Sequence, residues 1–395
     1  MDIICIAFTS WEGNYTKSTV ELMKCMARRH RVMYVDYNHT YTDVLRGIFT
    51  KGSAPVKRIL GFQKRLRKTQ TNGDNLWLLT PPPVFPVNFI KNKKLYAFVQ
   101  RINASIICRS VLKAGKKLNF DQPVVVNAWN PYVGVFLYGK LHEKITVYYC
   151  FDEIGESAWT KNHGSYMEKL FLRMVDACVV SSRGLLQTKS AMTKRCFIVQ
   201  NGVDYELFRS GYSFPKEAPV IIGFVGTIAG RIDFSVLEAI AVNFPEARLV
   251  LVGRTAFDGR SVDEDVAGLK TYPNVIFEGA QPSEKLPDYL KKFHIGIIPN
   301  MKNAHTAAVY PMKINEYLAA GIPVVTSDFA PLDEFADMIT VARSTSEFLQ
   351  GIRTELATDN SQKQKDRQDA AQQNSWNNRA LKFEKIIEDI LAEQS

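Results

Sequence analysis

Pro311-Met312-Lys313-Ile314-Asn315-Glu316-Tyr317-Leu318-Ala319-Ala320-Gly321-Ile322-Pro323-Val324-Val325 decides how this chain folds. The segment opens with a charged turn, continues as a short amphipathic helix, stops at Gly321 and becomes a buried strand. A Gly just past the last helical residue suits a C-terminal cap, and Pro323 two residues later forbids continuation. The first turn carries Lys313 and Glu316. Backbone N–H groups at a helix start favour anions, and Lys313 adds a full positive charge. A carboxylate one turn inside can accept hydrogen bonds from hydroxyl groups. The pattern predicts a site for phosphates on the N–H groups and Lys313, with a ribose on Glu316.

Outward from this segment, apolar strand-like runs alternate with helical patterns in both halves of the 395 residues. That alternation predicts an α/β chain with parallel sheets, and the length predicts two domains. Strands are expected at 3–8, 31–36, 124–129, 144–150, 177–182 and 197–201, then at 220–226, 247–253, 274–279, 295–299, 323–327 and 338–342. Helices are expected near 17–29, 89–117, 165–174 and 183–191, then near 233–243, 283–293, 313–320 and 345–356. Residues 357–375 are polar and read as a solvated helix or flexible link. Trp376 to Leu391 is amphipathic. Residues 40–120 match nothing we can name.

The segment around Glu316 resembles the donor-binding helix of GT-B glycosyltransferases of the bacterial family-4-like and family-1-like group, and more closely its exopolysaccharide and teichuronic-acid-type members. There, Glu-Tyr-Leu-Ala-Ala-Gly-x-Pro-Val-Val follows a Lys or small residue. Many members have a second Glu eight positions earlier, which contacts the donor sugar; this chain has Ala308 there. Asn201-Gly202-Val203-Asp204, followed by Phe208, resembles the family's hinge. The resemblance implies two Rossmann-like, doubly wound parallel-sheet domains facing a cleft. The expected domains are 1–202 on the acceptor side, 203–365 for the nucleotide sugar, and a tail, 366–395, returning to the first domain.

Further candidate positions follow from strand ends, where ligands sit in such sheets. Gly223-Phe224-Val225-Gly226-Thr227 ends a strand in a small-residue turn suited to a pyrophosphate, with Arg231 the basic residue after it. Arg254 ends the next strand and suits either the nucleobase or a surface salt bridge. Tyr310 suits either the nucleotide or a packed domain edge. Trp11, Gly13 and Tyr15 follow the first strand, where the family has a phosphate and acceptor loop. Asp152 and Glu153 end another strand. The resemblance implies that one of them takes the proton of the acceptor hydroxyl if the reaction inverts. His305 is the one histidine near the donor helix.

Composition narrows the partners. Residues 51–117 hold fifteen Lys and Arg against one acid, Asp74, interleaved with aromatic residues. Such a block suits an anionic membrane surface; no base-reading motif accompanies it, so nucleic acid is not expected. The six cysteines are scattered without a Cys-x-x-Cys pair, which predicts reduced, buried thiols. No signal-peptide pattern opens the chain, and no apolar run approaches the ~20 residues of a membrane span. The expected location is the cytoplasm, at the inner face of the membrane. Val262-Asp263-Glu264-Asp265 contains an Asp-x-Asp but reads as solvated surface, and the resemblance implies that no metal and no cofactor are needed. The function implied is transfer of a hexose from a nucleotide diphosphate sugar, with UDP as the family's habit, to a glycan or lipid-linked acceptor in bacterial surface polysaccharide assembly. A nucleotide-sugar epimerase of the same fold, and a scaffold subunit without activity, are the alternatives.

Overall fold

The computed structural model describes residues 1–12, 17–50, 54–69, 75–154, 162–257 and 261–394, including all their side chains except those of Ala304 and His305. The chain divides into two compact units: Met1–Gln200 with Arg379–Ser395, and Asn201–Asn378.

In the first unit the described strands are β1 (Asp2–Ala7), β2 (Arg31–Val35), β3 (Leu66–Lys68), β4 (Leu76–Leu79), β5 (Val124–Ala128), β6 (Ile145–Cys150), β7 (Ala177–Val180) and β8 (Cys196–Ile198). They form one sheet in the order β3-β4-β2-β1-β5-β6-β7-β8. Only β3 runs antiparallel to its neighbour. The central strands are buried on both faces, which is why they read as unbroken apolar runs. The strand order reverses between β1 and β5. The crevice outside their carboxyl ends is where such a sheet offers a site.

The second unit repeats the plan with β9 (Ile221–Val225), β10 (Arg248–Val252), β11 (Val275–Gly279), β12 (Ile295–Ile298), β13 (Val324–Ser327) and β14 (Thr340–Ala342). Their order is β11-β10-β9-β12-β13-β14, all parallel. Alternate side chains feed two cores. Val225, Val250 and Val252 face a layer with Ile314 and Leu318, whereas Ile222, Leu249 and Leu251 face a layer with Leu237 and Phe348. Here the order reverses between β9 and β12. The helix Met312–Ala319 connects β12 to the parallel β13, so it starts at the carboxyl edge of the sheet.

Two parts differ from the sequence reading. β3 and β4 lie between the runs at 31–36 and 124–129, where no strand is expected. The polar stretch after residue 357 contains the solvated helix expected there: in Ser361–Gln373 most residues are exposed, and only Gln364, Arg367 and Ala371 are buried. Arg367 donates to the carbonyl of Gly321 at 3.0 Å and to Asp359 at 2.6 Å. This helix belongs to the second unit rather than to the tail. In the first unit, Phe383 of the helix Trp376–Gln394 packs its ring 5.7 Å from Tyr149, and Arg29 forms an ion pair with Glu384 at 2.8 Å. Among the described residues no helix is long and apolar enough to cross a membrane.

Candidate active site

The helix Met312–Ala319 begins at Pro311 with no side-chain cap and ends at Gly321, whose φ of +73° needs a residue without Cβ. Lys313 Nζ lies 2.6 Å from Glu316 Oε2. The Glu316 side chain is only 5% exposed and that of Lys313 32%. The carboxylate is thus nearly buried, beside a cation that still reaches solvent. Tyr317 anchors this turn. Its hydroxyl accepts the Val225 N–H at 2.8 Å, at the end of β9. Burial pushes the Tyr317 hydroxyl well above the usual phenol range, so it stays neutral. Lys313 and Glu316 are therefore fixed beside the turn that follows β9.

That turn is laced to both neighbours. The Gly226 N–H donates to Val252 O at 2.9 Å and Ile228 N–H to Arg254 O at 2.9 Å. On the other side Met301 N–H donates to Arg231 O at 2.8 Å. Gly226 N–H therefore serves the sheet rather than a ligand, contrary to the simplest reading of a phosphate turn. The Thr227 and Gly230 N–H groups have no protein acceptor among the described residues. Gly253 is what lets these strand ends approach: a Cβ there would lie 1.7 Å from Gly226 O. Arg231 is half-buried beside the turn and Arg254 is exposed.

Tyr310 belongs to the core. It is buried, its hydroxyl accepts from Asn315 Nδ2 at 2.8 Å, and its ring lies 5.9 Å from Phe335. Asn374 completes the network by donating to Asn315 Oδ1 at 2.9 Å. Of the two readings open for Tyr310, the packed aromatic is the one observed. Ala308 is also buried.

In the first unit, the crevice between β1 and β5 is walled by aromatic rings. Phe8 meets Trp129 edge-on at 5.5 Å and Tyr37 at 5.6 Å. Trp11 is positioned by its neighbours: its N–H donates to Asp36 Oδ1 at 2.8 Å, and its ring lies 5.0 Å from Tyr34. Lys17 is buried and donates to the carbonyls of Ser10 and Glu12, which fixes this loop from beneath. Burial lowers its pKa, against the pull of Asp36 and Glu12. Gly13 and Tyr15 lie outside the described residues, as does the side chain of His305. Nothing in the sequence pattern marks Asp36 or Lys17, because their partners are backbone groups brought close only by the fold.

Asp152 and Glu153 turn out to be unlike. Glu153 Oε1 is held by Lys189 Nζ at 2.8 Å, and the same ammonium holds Glu168 Oε2 at 2.7 Å. Burial alone would lower Lys189, but Glu168, Cys150 and the two hydrogen bonds outweigh it and raise it. Glu153 is therefore part of a charged knot that secures the end of β6. Asp152 accepts the Glu153 N–H through Oδ1 at 2.8 Å, and its carbonyl accepts the indole N–H of Trp129 at 2.8 Å. Trp129 sits at φ +52°, in the left-handed region. The acidic run Asp263–Asp265 opens the helix Asp263–Leu269, and its first two residues are exposed. No cluster of His, Cys, Asp and Glu suited to a metal occurs among the described residues.

Comparison with known proteins bears on the fold. Residues 219–357 match the family model of Glycosyl transferases group 1. The chain is 33% identical over 142 residues to TuaH of Bacillus subtilis, which carries a provisional assignment as a teichuronic acid biosynthesis glycosyltransferase. That alignment spans 34% of this chain and 35% of the relative, so the chain matches about a third of the relative's length. Among solved structures, sucrose-phosphate synthase of Thermosynechococcus elongatus superposes with a TM-score of 0.70 at 15% identity, over 99% of both chains. The E. coli trehalose-6-phosphate protein bound with UDP-2-fluoro glucose superposes with a TM-score of 0.68 at 9% identity, again over 99% of both. The fold is GT-B, with the group 1 match confined to the second unit.

Proposed function

We propose that this chain is a glycosyltransferase that moves a hexose from a UDP-sugar to a glycan or lipid-linked acceptor, in bacterial surface polysaccharide assembly. The observation that carries the reading is the Lys313–Glu316 pair, fixed by Tyr317 to the end of β9 beside the open N–H groups of Thr227 and Gly230. A cation, unshared N–H donors and a recessed carboxylate are what a diphosphate and a ribose require. The bound UDP-sugar of the E. coli neighbour supports UDP, and the Bacillus subtilis relative supports a surface polysaccharide.

In this reading the acceptor hydroxyl oxygen attacks the anomeric carbon. The bond from that carbon to the diphosphate breaks, and its electron pair leaves on the β-phosphate oxygen. Lys313, Arg231 and the N–H groups stabilise that charge without a metal ion or cofactor. With inversion Asp152 takes the hydroxyl proton, since the Glu153 carboxylate is engaged by Lys189. With retention the proton passes to the leaving phosphate and Asp152 orients the acceptor. Residues 51–117 meet an anionic membrane surface at the cytoplasmic side.

The test is calorimetric titration with UDP, GDP, ADP and CMP, with and without Mg²⁺. We expect metal-independent binding of UDP. Hydrogen bonds to a charged group contribute about 1.5–3 kcal/mol. Glu316→Gln should therefore weaken UDP about 10- to 100-fold. No binding of any nucleotide by the folded protein would refute the donor site and favour a scaffold role. Consumption of UDP-sugar without acceptor would favour an epimerase.

A further inference from the structure

The first unit leaves an apolar surface open beside its basic block. The helix Tyr41–Phe49 buries only Val44. Tyr41, Leu45, Ile48 and Phe49 recur at the spacing of one helical face, and all four are exposed, Phe49 at 85%. A soluble helix turns such a face inward; this one turns it out. The helix Lys93–Leu118 repeats the feature. Leu95, Phe98 and Ile102 form an exposed stripe, and the same stripe continues as Arg109, Lys113 and Lys116.

These features are joined. The Tyr41 ring lies 5.3 Å from that of Phe85. The Phe85 backbone is held at both ends by Asn103, the residue after Ile102. At the other end of the first helix, Gly47 lies against Val56, which opens the short helix Val56–Ile59. Phe62, 80% exposed, follows it, and Phe89, 73% exposed, lies between Phe85 and Leu95. Exposed cations alternate with these side chains along the same segments: Arg46, Lys57, Lys64, Lys91, Lys94 and Arg101. Isolated exposed apolar residues need no explanation, but a helical face of them turned to solvent marks a binding surface.

We propose that this patch inserts into the apolar edge of an anionic lipid leaflet, so that the first unit is held by penetration as well as by charge. This deepens the membrane contact given above and rests on it. The arrangement fits a leaflet because exposed apolar side chains and exposed cations share these segments, as hydrocarbon and anionic headgroups demand. A second copy of the chain is the wrong occupant, since pairing the patch with itself would set cation against cation.

The experiment is flotation of the full chain with vesicles of phosphatidylcholine alone, and with 30 mol% phosphatidylglycerol. We expect binding to the anionic vesicles, part of which survives 0.5 M NaCl. Each buried methylene is worth about fourfold in partition. The exposed triple variant Leu45→Glu/Ile48→Glu/Phe49→Glu should therefore lose more than tenfold on both vesicles and keep no salt-resistant part. Lys57→Glu/Lys64→Glu should lose binding to anionic vesicles only. UDP titration of the same variants should be unchanged. A lack of UDP binding in the parent chain would strike the donor site and leave the vesicle result standing. Equal partition of triple variant and parent, complete release of the parent by salt, or a dimer that the triple variant dissolves would overturn the insertion.

Discussion

Lys189→Met tests whether the charged knot beneath β6 holds the first unit together. Lys189 is 3% exposed and Glu168 4%, and among the described residues no other cation meets the Glu168 carboxylate. Its second oxygen accepts from the Tyr148 hydroxyl at 2.9 Å. Removing the ammonium strands one fully buried carboxylate and one, Glu153, that is 19% exposed. Breaking a buried pair in this way costs about 3–5 kcal/mol. At about 2–4 °C per kcal/mol for a domain of this size, the melting transition of the first unit should fall by about 6–20 °C. In the parent, Lys189 has a folded pKa above its unfolded value. Its contribution is therefore complete below the unfolded value, near 10.5, and is lost only as pH rises through the higher folded one. Between pH 5 and 8 that contribution is constant. Urea unfolding followed by circular dichroism at pH 8 should show the gap. Adding Glu168→Gln should recover stability, because it removes the stranded charge. A gap under ~1 kcal/mol at pH 8, or no recovery with Glu168→Gln, would refute the reasoning.

Two other measurements bear on the second unit. Gly253→Ala drives a Cβ into Gly226 O. It should cost about 1–3 kcal/mol in urea unfolding and weaken UDP as well, because the β9 turn must move. His294 Nδ1 accepts the Ile221 N–H at 3.1 Å, which requires an unprotonated nitrogen. Burial and nearby Lys216 lower its pKa. The unfolded chain therefore binds the proton more readily, and the second unit should lose stability as pH falls below about 6.5. His294→Gln should flatten that slope; an unchanged slope between pH 7 and 5 would show that other groups set it.

The second unit was readable because its central strands are buried on both faces and bounded by Gly and Pro. Each of the six expected runs, from 220–226 to 338–342, contains an observed strand. The donor helix was readable for the same reason, since its start, its Gly stop and its charged turn are local signals. β3 and β4 escaped because β3 is a three-residue antiparallel edge set in a basic stretch. The exposed apolar helix at Tyr41–Phe49 escaped with them, because a periodic pattern does not tell which way its apolar face points. The same limit applies to side chains with distant partners. Asp152 and Glu153 are adjacent in sequence, but Lys189 distinguishes them from 36 residues away. Tyr310 looked equally suited to ligand and core until Asn315 and Phe335 were seen around it.

Trp129 carries a consequence for anyone who wishes to harden this protein. A left-handed backbone costs a residue with Cβ about 1–2 kcal/mol, a cost that glycine avoids. Trp129→Gly would therefore look attractive to a designer working from backbone geometry alone. The same exchange removes the indole that grips the carbonyl of Asp152 and the ring that stands against Phe8. Emptying that buried site costs about 3–5 kcal/mol, more than the backbone relief returns, so a library selected for survival at high temperature should keep the strained tryptophan.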